Sequence, residues 1–394
     1  MASTLIAGLD AALAARRSAG LDRRRVVMAT PQGPRITAGG RQLVSFASND
    51  YLGLANDPAL VAAARDAAAR WGVGAGASHL LCGHFTPHEA LEAELANFVA
   101  PCVGARALTF SSGYLANLAI LSALAGRKDA IFADRLNHAC LNDGALLARA
   151  GFLRYPHGDA AALSRLLGKS KAPRRIIATD AVFSMDGDLA PLARLLELAH
   201  AHDAWLVVDD AHGFGVLGEG RGALAHAGLA SERLVYMGTL GKAAGVAGAF
   251  VAAHPSVIET LVQTARPYIY TTAPPPMLAE TLHAALAIIR GDTSRRTHLT
   301  QLIAQFRQGA RGLPWRLLPS LTAIQPLVVG DNNAAMDAAN ALRERGFWVP
   351  AIRPPTVAQG TARLRVSLSA AHTTDDVAAL LAALHAVAAS VGLG

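Results

Sequence analysis

The sequence predicts an α/β protein: a large, mostly parallel sheet with helices on both faces, followed by a smaller C-terminal α/β domain and preceded by a helical segment. Three observations carry this expectation. Between about residues 57 and 290, short β-rich runs (RALTF, AIFAD, RRIIATD, AWLVVDD, RLVYMG, GAFVAA) alternate with helical stretches such as HEALEAELANFV. Strands alternating with helices make βαβ crossovers, which place helices against a parallel sheet. After Arg290 the texture changes to a shorter α/β pattern. With 394 residues, 52% of them hydrophobic, the chain is long enough for two or more packed layers.

Taken in order, Leu5, Leu9 and Leu13 recur at spacing four and predict an amphipathic helix ending near Gly20. A hairpin follows, its turn at Ala38-Gly39-Gly40 between RIT and RQLVSF. SNDYLGL then leads into the sheet domain. The C-terminal part reads as a helix around 296–311, the run AIQPLVVGD, a helix around 333–345, the run RLRVSL and a last helix to about 389. The expected divisions are an N-terminal helix and hairpin over 1–47, a large domain over 48–290 and a small domain over 291–394.

Several function classes are disfavoured. No apolar run approaches the roughly 20 residues of a membrane span, and Asp10 interrupts the N-terminal apolar stretch where a cleavable signal would be uncharged. A cytoplasmic location is the expectation. Cys82, Cys102 and Cys140 are odd in number, widely spaced and without close metal-ligand partners, so they are read as buried thiols, and no metal site is expected. The net charge of +7 suits phosphorylated and carboxylated ligands as well as nucleic acid. The one dense basic cluster, Arg23-Arg24-Arg25 after Arg16-Arg17, has no interleaved aromatics on which bases would stack. Neither a nucleic-acid nor a membrane partner is expected.

Four of the 36 basic residues are lysines (Lys128, Lys169, Lys171, Lys242), and Lys242 alone lies in an apolar Gly/Ala setting, MGTLGKAAGVAGAF. Desolvation lowers a lysine's pKa and makes it a nucleophile suited to Schiff-base formation; a lysine snorkelling from a loop is the competing reading. Asp209 ends the apolar run AWLVVDD, 33 residues before Lys242, and precedes Ala211-His212-Gly213. A carboxylate at a strand end can hold a pyridine nitrogen protonated, or it can cap a helix. Ser111-Ser112-Gly113-Tyr114 lies between a strand run and a helical run, where backbone amides can cradle a phosphate. Ligands of parallel sheets bind at the carboxyl ends of the strands, where these residues cluster.

Lys242, Asp209, His212 and this turn together resemble the fold-type-I pyridoxal-phosphate enzymes, and more narrowly the α-oxoamine synthases. The resemblance runs through eight ordered blocks: SNDYLGL (48–54), GAGASHLLCGHFTPHEALE (74–92), SSGYLAN (111–117), ADRLNHA (133–139), VFSMDGD (182–188), VDDAHGFGVLGE (208–219), TLGK (239–242) and IYTTAPPP (269–276). It implies that Lys242 carries pyridoxal 5'-phosphate and acts as the base, that Asp209 pairs with the ring nitrogen, and that His138 stacks on the ring. His212 and Ser184 would lie at the phenolic oxygen, and Gly113, Tyr114 and Thr239 at the phosphate. Thr271 and Thr272 would reach the phosphate in a neighbouring subunit, since the family's sites lie at a homodimer interface. Asn49 and Arg365 would hold the amino-acid carboxylate, and Arg23 and Thr356 match positions that contact substrate.

Within the family, AIQPLVVGDN, AIRPPTVAQGTARLRVSLSAAH and the arginines at 23–25 look like the biotin-pathway members, which condense L-alanine with a pimeloyl thioester. Two departures stand out. Asp180-Ala181 replaces the usual Glu-Gly, and His79 replaces arginine or glycine.

Overall fold

The computed structural model describes residues 4–23 and 25–390, so that Arg24 of the basic cluster lies outside the described residues. The chain forms two compact units, one of Asn49–Ser184 with Asp188–Thr297 and the other of the residues up to Ser48 with Met185–Gly187 and those from His298 onward.

The second unit begins with helix α1 (Thr4–Ser18), which buries none of its residues. A hairpin of β1 (Arg35–Ala38) and β2 (Arg41–Ser45) follows, turning on Gly39 and Gly40, both at positive φ (58° and 76°). Consecutive left-handed residues match the twist of a two-residue hairpin turn, and glycine adopts them without a Cβ penalty. Ile36, Ala38 and Leu43 form a small apolar cluster with Trp348.

The first unit is built on a seven-stranded sheet of β3 (Arg106–Phe110), β4 (Ala130–Asp134), β5 (Gly151–Tyr155), β6 (Arg175–Asp180), β7 (Ala204–Asp209), β8 (Leu234–Thr239) and β9 (Ala249–Ala253). Their spatial order is β3-β9-β8-β7-β6-β4-β5, parallel throughout except that β9 runs antiparallel to both of its neighbours. Every residue of β4 and β9 is buried, as helices on both faces demand. Helices α2 (Pro58–Trp71), α3 (Thr86–Val99), α4 (Gly113–Leu124) and α5 (Ala139–Ala148) lie in this unit. Ile120 and Leu121 of α4 and Leu141 of α5 join Ile131, Ile176, Val207 and Val251 of the strands in one buried core. The expected strands are all present, and β5, which the sequence reading omitted, is added at the edge, where only Tyr155 is fully buried.

Register then does the work of assembly. Asp180 lies opposite Asp209, and Asp209 opposite Met237, so β6 and β7 end level and β8 runs two residues further, to Thr239. The apolar runs end there and polar residues begin.

The second unit also contains the antiparallel strands β10 (Arg316–Leu317), β11 (Ile324–Gly330), β13 (Ala351–Ile352) and β14 (Ala362–Ser367), in the order β10-β11-β14-β13, while β12 (Phe347–Trp348) pairs with β2. Its helices span Ser294–Gly309, Asn332–Glu344 and Thr374–Ser390. The tripeptide Met185–Gly187 is held here by buried Arg363, which pairs with Asp186 at 2.7 Å and donates to the Met185 carbonyl at 3.1 Å. The hydroxyls of Ser320 and Thr322 both donate to the Gly187 carbonyl.

One cysteine expectation is corrected. Cys102 and Cys140 are buried, but Cys82 is exposed, because it lies on the outer side of a single-turn π-helix, His79–Gly83. His79 of that turn is buried, stacked on Tyr268 with ring centroids 5.1 Å apart. Burial, with His88 and His84 adjacent, lowers its pKa to about 3. Among the described residues, no helix is long and apolar enough to cross a membrane.

Gly245, in the turn after Lys242, has φ 72°, and its amide donates to the Lys242 carbonyl at 2.9 Å. A Cβ there would meet the Leu54 carbonyl carbon and the Ala55 amide nitrogen at 2.6 Å. Backbone cannot rotate aside as a side chain can. Gly245→Ala is therefore expected to lower stability by about 1–3 kcal/mol, read as a reduced midpoint in urea unfolding. An unchanged midpoint would mean that this turn does not need its left-handed residue.

Candidate active site

A cavity of about 210 Å³ opens at the carboxyl ends of the parallel strands. Asp209, the last residue of β7, is 5% exposed. Its Oδ2 accepts from Asn117 Nδ2 of α4 at 2.6 Å and its Oδ1 from the Ala211 amide at 3.0 Å. Cys140 Sγ is 3.9 Å from the same Oδ2 and 3.1 Å from Asn117 Nδ2. A buried carboxylate with such donors is compatible with its surroundings, where a bare one would not be.

Helix α4 starts beside it. Ser112 is its N-cap, its hydroxyl accepting from the Leu115 amide at 3.3 Å, and Gly113 and Tyr114 at the first turn line the cavity. A Cβ on Gly113 would sit 3.4 Å from Met237 Cε, so the glycine keeps this entrance open. Unpaired amides of a helix's first turn, reinforced by its dipole, suit an anion. Thr239, at the end of β8, completes this side, its hydroxyl donating to the Gly248 carbonyl at 3.1 Å.

Lys242 reaches the opposite side. Its Nζ lies 2.9 Å from His212 Nε2, His212 Nδ1 lies 2.6 Å from the Tyr51 hydroxyl, and that hydroxyl donates to Asn49 Oδ1 at 3.1 Å. An amide oxygen only accepts, so the tyrosine's single proton points at Asn49 and its oxygen takes the Nδ1 proton of His212. His212 Nε2 is then a lone pair facing the lysine. His138, the N-cap of α5, accepts from the Cys140 amide through Nδ1 at 3.3 Å, and its own amide donates to Asp180 Oδ2 at 2.8 Å. Burial first, and Lys242 further, lower the His138 pKa against the opposing pull of Asp209. Burial, followed by repulsion from Asp209, raises that of Asp180.

The structure thus brings Gly113, Tyr114, His138, Ser184, Asp209, His212, Thr239 and Lys242 around one cavity, with Asn49 joined to them through Tyr51. Thr271 and Thr272 do not line it; Thr272 bridges to Ser78 near the π-turn. Arg23, Thr356 and Arg365 belong to the other unit, where Arg23 and Thr356 are exposed and Arg365 is buried on β14, donating to the Ser367 hydroxyl at 2.7 Å. Reading the sequence residue by residue missed Tyr51, Asn117 and Cys140 as parts of the site. Tyr51 and Asn117 fall inside blocks that had been singled out, SNDYLGL and SSGYLAN, which was the available signal.

Residues 41–384 match the family described as aminotransferase class I and II. The chain belongs to that family. It is 60% identical over 384 residues to the 8-amino-7-oxononanoate synthase of Herminiimonas arsenicoxydans, covering 96% of this chain and 98% of the relative. Among solved structures it resembles a serine palmitoyltransferase of S. paucimobilis with a bound pyridoxal-phosphate–myriocin aldimine, at 30% identity and a TM-score of 0.92, covering 99% of this chain and 100% of that one. It also resembles the 8-amino-7-oxononanoate synthase of Francisella tularensis, at 32% identity and a TM-score of 0.76, covering 89% and 98%. For this member of the family, Asn117 is the residue on which the buried Asp209 depends most directly. Asn117→Ala is expected to destabilise the cofactor-free protein by about 1–3 kcal/mol in urea unfolding, the cost of a buried acceptor left unpaired. Asn117→Asp, which sets a second carboxylate against Asp209, should cost more; equal stability of the parent and both variants would refute the dependence.

Proposed function

We propose that this chain condenses L-alanine with a pimeloyl thioester, on coenzyme A or a carrier protein, releasing carbon dioxide and free thiol and giving 8-amino-7-oxononanoate. Pyridoxal 5'-phosphate is its cofactor, and it works in the cytoplasm as a homodimer. The observation that carries this reading is the convergence on one cavity of a lysine amine, a donor-supported strand-end carboxylate and the N-terminus of α4. These residues fit the three recognition points of pyridoxal phosphate: aldehyde, ring nitrogen and phosphate. The similarity at 60% identity to a synthase of this product supports the choice of substrates.

In this reading Lys242 would hold the cofactor at its aldehyde carbon, Asp209 at the ring nitrogen and His138 at the ring face, and His212 and Ser184 would meet the phenolic oxygen. The first-turn amides at Gly113 and Tyr114 and the Thr239 hydroxyl hold the phosphate, and Thr271 and Thr272 serve the neighbouring subunit's site. Bound pyridoxal phosphate supplies an electron sink for the charge left when the amino acid's Cα proton is removed. With the substrate amine bound, Lys242 Nζ would be the base that takes that proton. In the cofactor-free protein the His212 Nε2 lone pair accepts a hydrogen bond from the Lys242 amine and orients it. Arg365 and Asn49 bind the alanine carboxylate, and Arg23 and Thr356 contact the acyl substrate.

The test is direct. Purified protein incubated with pyridoxal phosphate, L-alanine and pimeloyl-CoA should release thiol and form a product of the expected mass, faster than with glycine and acetyl-CoA or serine and palmitoyl-CoA. A preference for either of the other pairs would overturn the substrate assignment. Lys242→Ala should abolish turnover, and borohydride should fix the cofactor on Lys242; a reduced adduct mapped to Lys128, Lys169 or Lys171 would refute its role. Arg365→Leu should weaken alanine binding about tenfold or more, the loss of a charged hydrogen-bond pair, while the bound cofactor's spectrum stays as in the parent.

A further inference from the structure

We infer that His157 is a positioning residue of this site, an imidazole clamped between Asp134 and Asp188 that ties the segment carrying His138 to the segment carrying Ser184. The inference rests on the cofactor assignment made above but concerns a residue that touches none of the expected ligands.

Asp134 is the last residue of β4 and is almost wholly buried. Its Oδ1 accepts from the Leu136 amide at 2.8 Å and from His157 Nδ1 at 3.1 Å, and its Oδ2 from the Gly158 amide at 2.8 Å. His157 Nε2 donates to Asp188 Oδ2 at 2.8 Å. Both ring nitrogens therefore face carboxylate oxygens, which accept and do not donate, so both must carry a hydrogen and the ring is a cation. From the end of β4 the charged group facing it is Asp134, and from the segment after β6 it is Asp188. The Phe183 ring meets it edge-on at 4.4 Å between centroids, and Tyr155, whose hydroxyl burial first and then Asp134 keep protonated, lies beside Asp134 on β5.

Each end of the clamp leads into the cavity. On one side Asp134 begins the turn through Asn137 to His138, where Asn137 donates to the Ala178 carbonyl and accepts from the Asp180 amide. On the other side the Phe183 amide donates to the Asp188 carbonyl at 3.0 Å and Val182 bridges to Leu189, which places Ser184 at the cavity wall. One ring thus sets the separation of two walls, and a ring with a single proton cannot satisfy both carboxylates.

The two carboxylates raise the His157 pKa to about 10 against the effect of burial. A base whose folded pKa lies above its unfolded value contributes in full below about 6.5 and loses its contribution as the pH rises through about 10. The clamp should therefore hold through the neutral and mildly alkaline range and open above it. Removing Asp188 leaves one carboxylate and should let the proton leave at lower pH.

Two measurements test this. In cofactor-free protein, the imidazole nitrogen shifts of His157, assigned by comparison with His157→Gln, should report a doubly protonated ring up to pH 9; a neutral ring at pH 8 would overturn the inference. In the second, the dissociation constant for pyridoxal phosphate is followed from pH 7 to 10.5. It should rise about tenfold in His157→Gln at pH 8, and its alkaline limb should move down by about one pH unit or more in Asp188→Asn. If both variants keep the parent's dissociation constant and pH profile and lose only unfolding stability, His157 is a structural residue and the inference fails. A parent protein that binds no pyridoxal phosphate would sink the cofactor assignment instead, while the nitrogen shifts would still decide the state of the clamp.

Discussion

A carboxylate stands at the end of a strand whose interior is hydrocarbon, and it cannot stay there without donors. Asp209 meets this constraint with the Asn117 amide on one oxygen and the Ala211 backbone amide on the other. Much of the site's layout follows. Asn117 lies four residues after Gly113, so about 6 Å along α4 separates the contact to Asp209 from the first turn of the helix at the cavity. A single helix therefore sets the spacing between the two recognition points proposed above for a ring nitrogen and a phosphate. The close packing of Gly144 of α5 on α4, where a Cβ would come within 3.0 Å of the Asn117 carbonyl oxygen, keeps that helix in place.

The polar residues around Lys242 are linked in a defined direction. Because Asn49 presents an oxygen to Tyr51, the protons along Tyr51 and His212 are ordered toward Asn49, and the lysine meets a lone pair rather than a competing cation. Across the cavity, Asp180 and Asp209 sit side by side because β6 and β7 are in register at their ends. Burial first, and the neighbouring Asp209 carboxylate second, raise the pKa of Asp180. The Asp180 carboxylate in turn accepts from the His138 amide at 2.8 Å, tying the end of β6 to the start of α5.

Local pattern was enough to read the strands of the large sheet, the two-glycine hairpin and the C-terminal helices, because each is written in contiguous residues. It was also enough for Lys242 and Asp209, whose chemistry is out of keeping with their apolar neighbours. Strand β5 escaped because an edge strand is half exposed and lacks the apolar run of its buried neighbours. Cys82 was misread because a π-turn has no hydrophobic period to show which side faces out. Asn117 and His157 were silent for another reason: their partners lie far off in sequence, Asp209 at 92 residues from Asn117 and Asp188 at 31 from His157, and only strand order brings them together. Arg23, Thr356 and Arg365 entered through resemblance alone, since nothing local distinguishes them from other surface or strand positions.

The distribution of basic residues has a chemical consequence of its own. Lys128, Lys169 and Lys171 are exposed, Lys242 lines the cavity, and the other 32 of the chain's 36 lysine and arginine side chains are guanidinium groups. A guanidinium attracts an anionic aldehyde electrostatically but, being always protonated, offers it no free amine for carbonyl condensation. The protein can therefore carry a surplus of positive charge toward phosphorylated aldehydes while offering them three exposed lysine amines besides the one inside the cavity, and most of its attraction for such anions comes from groups that cannot condense with them.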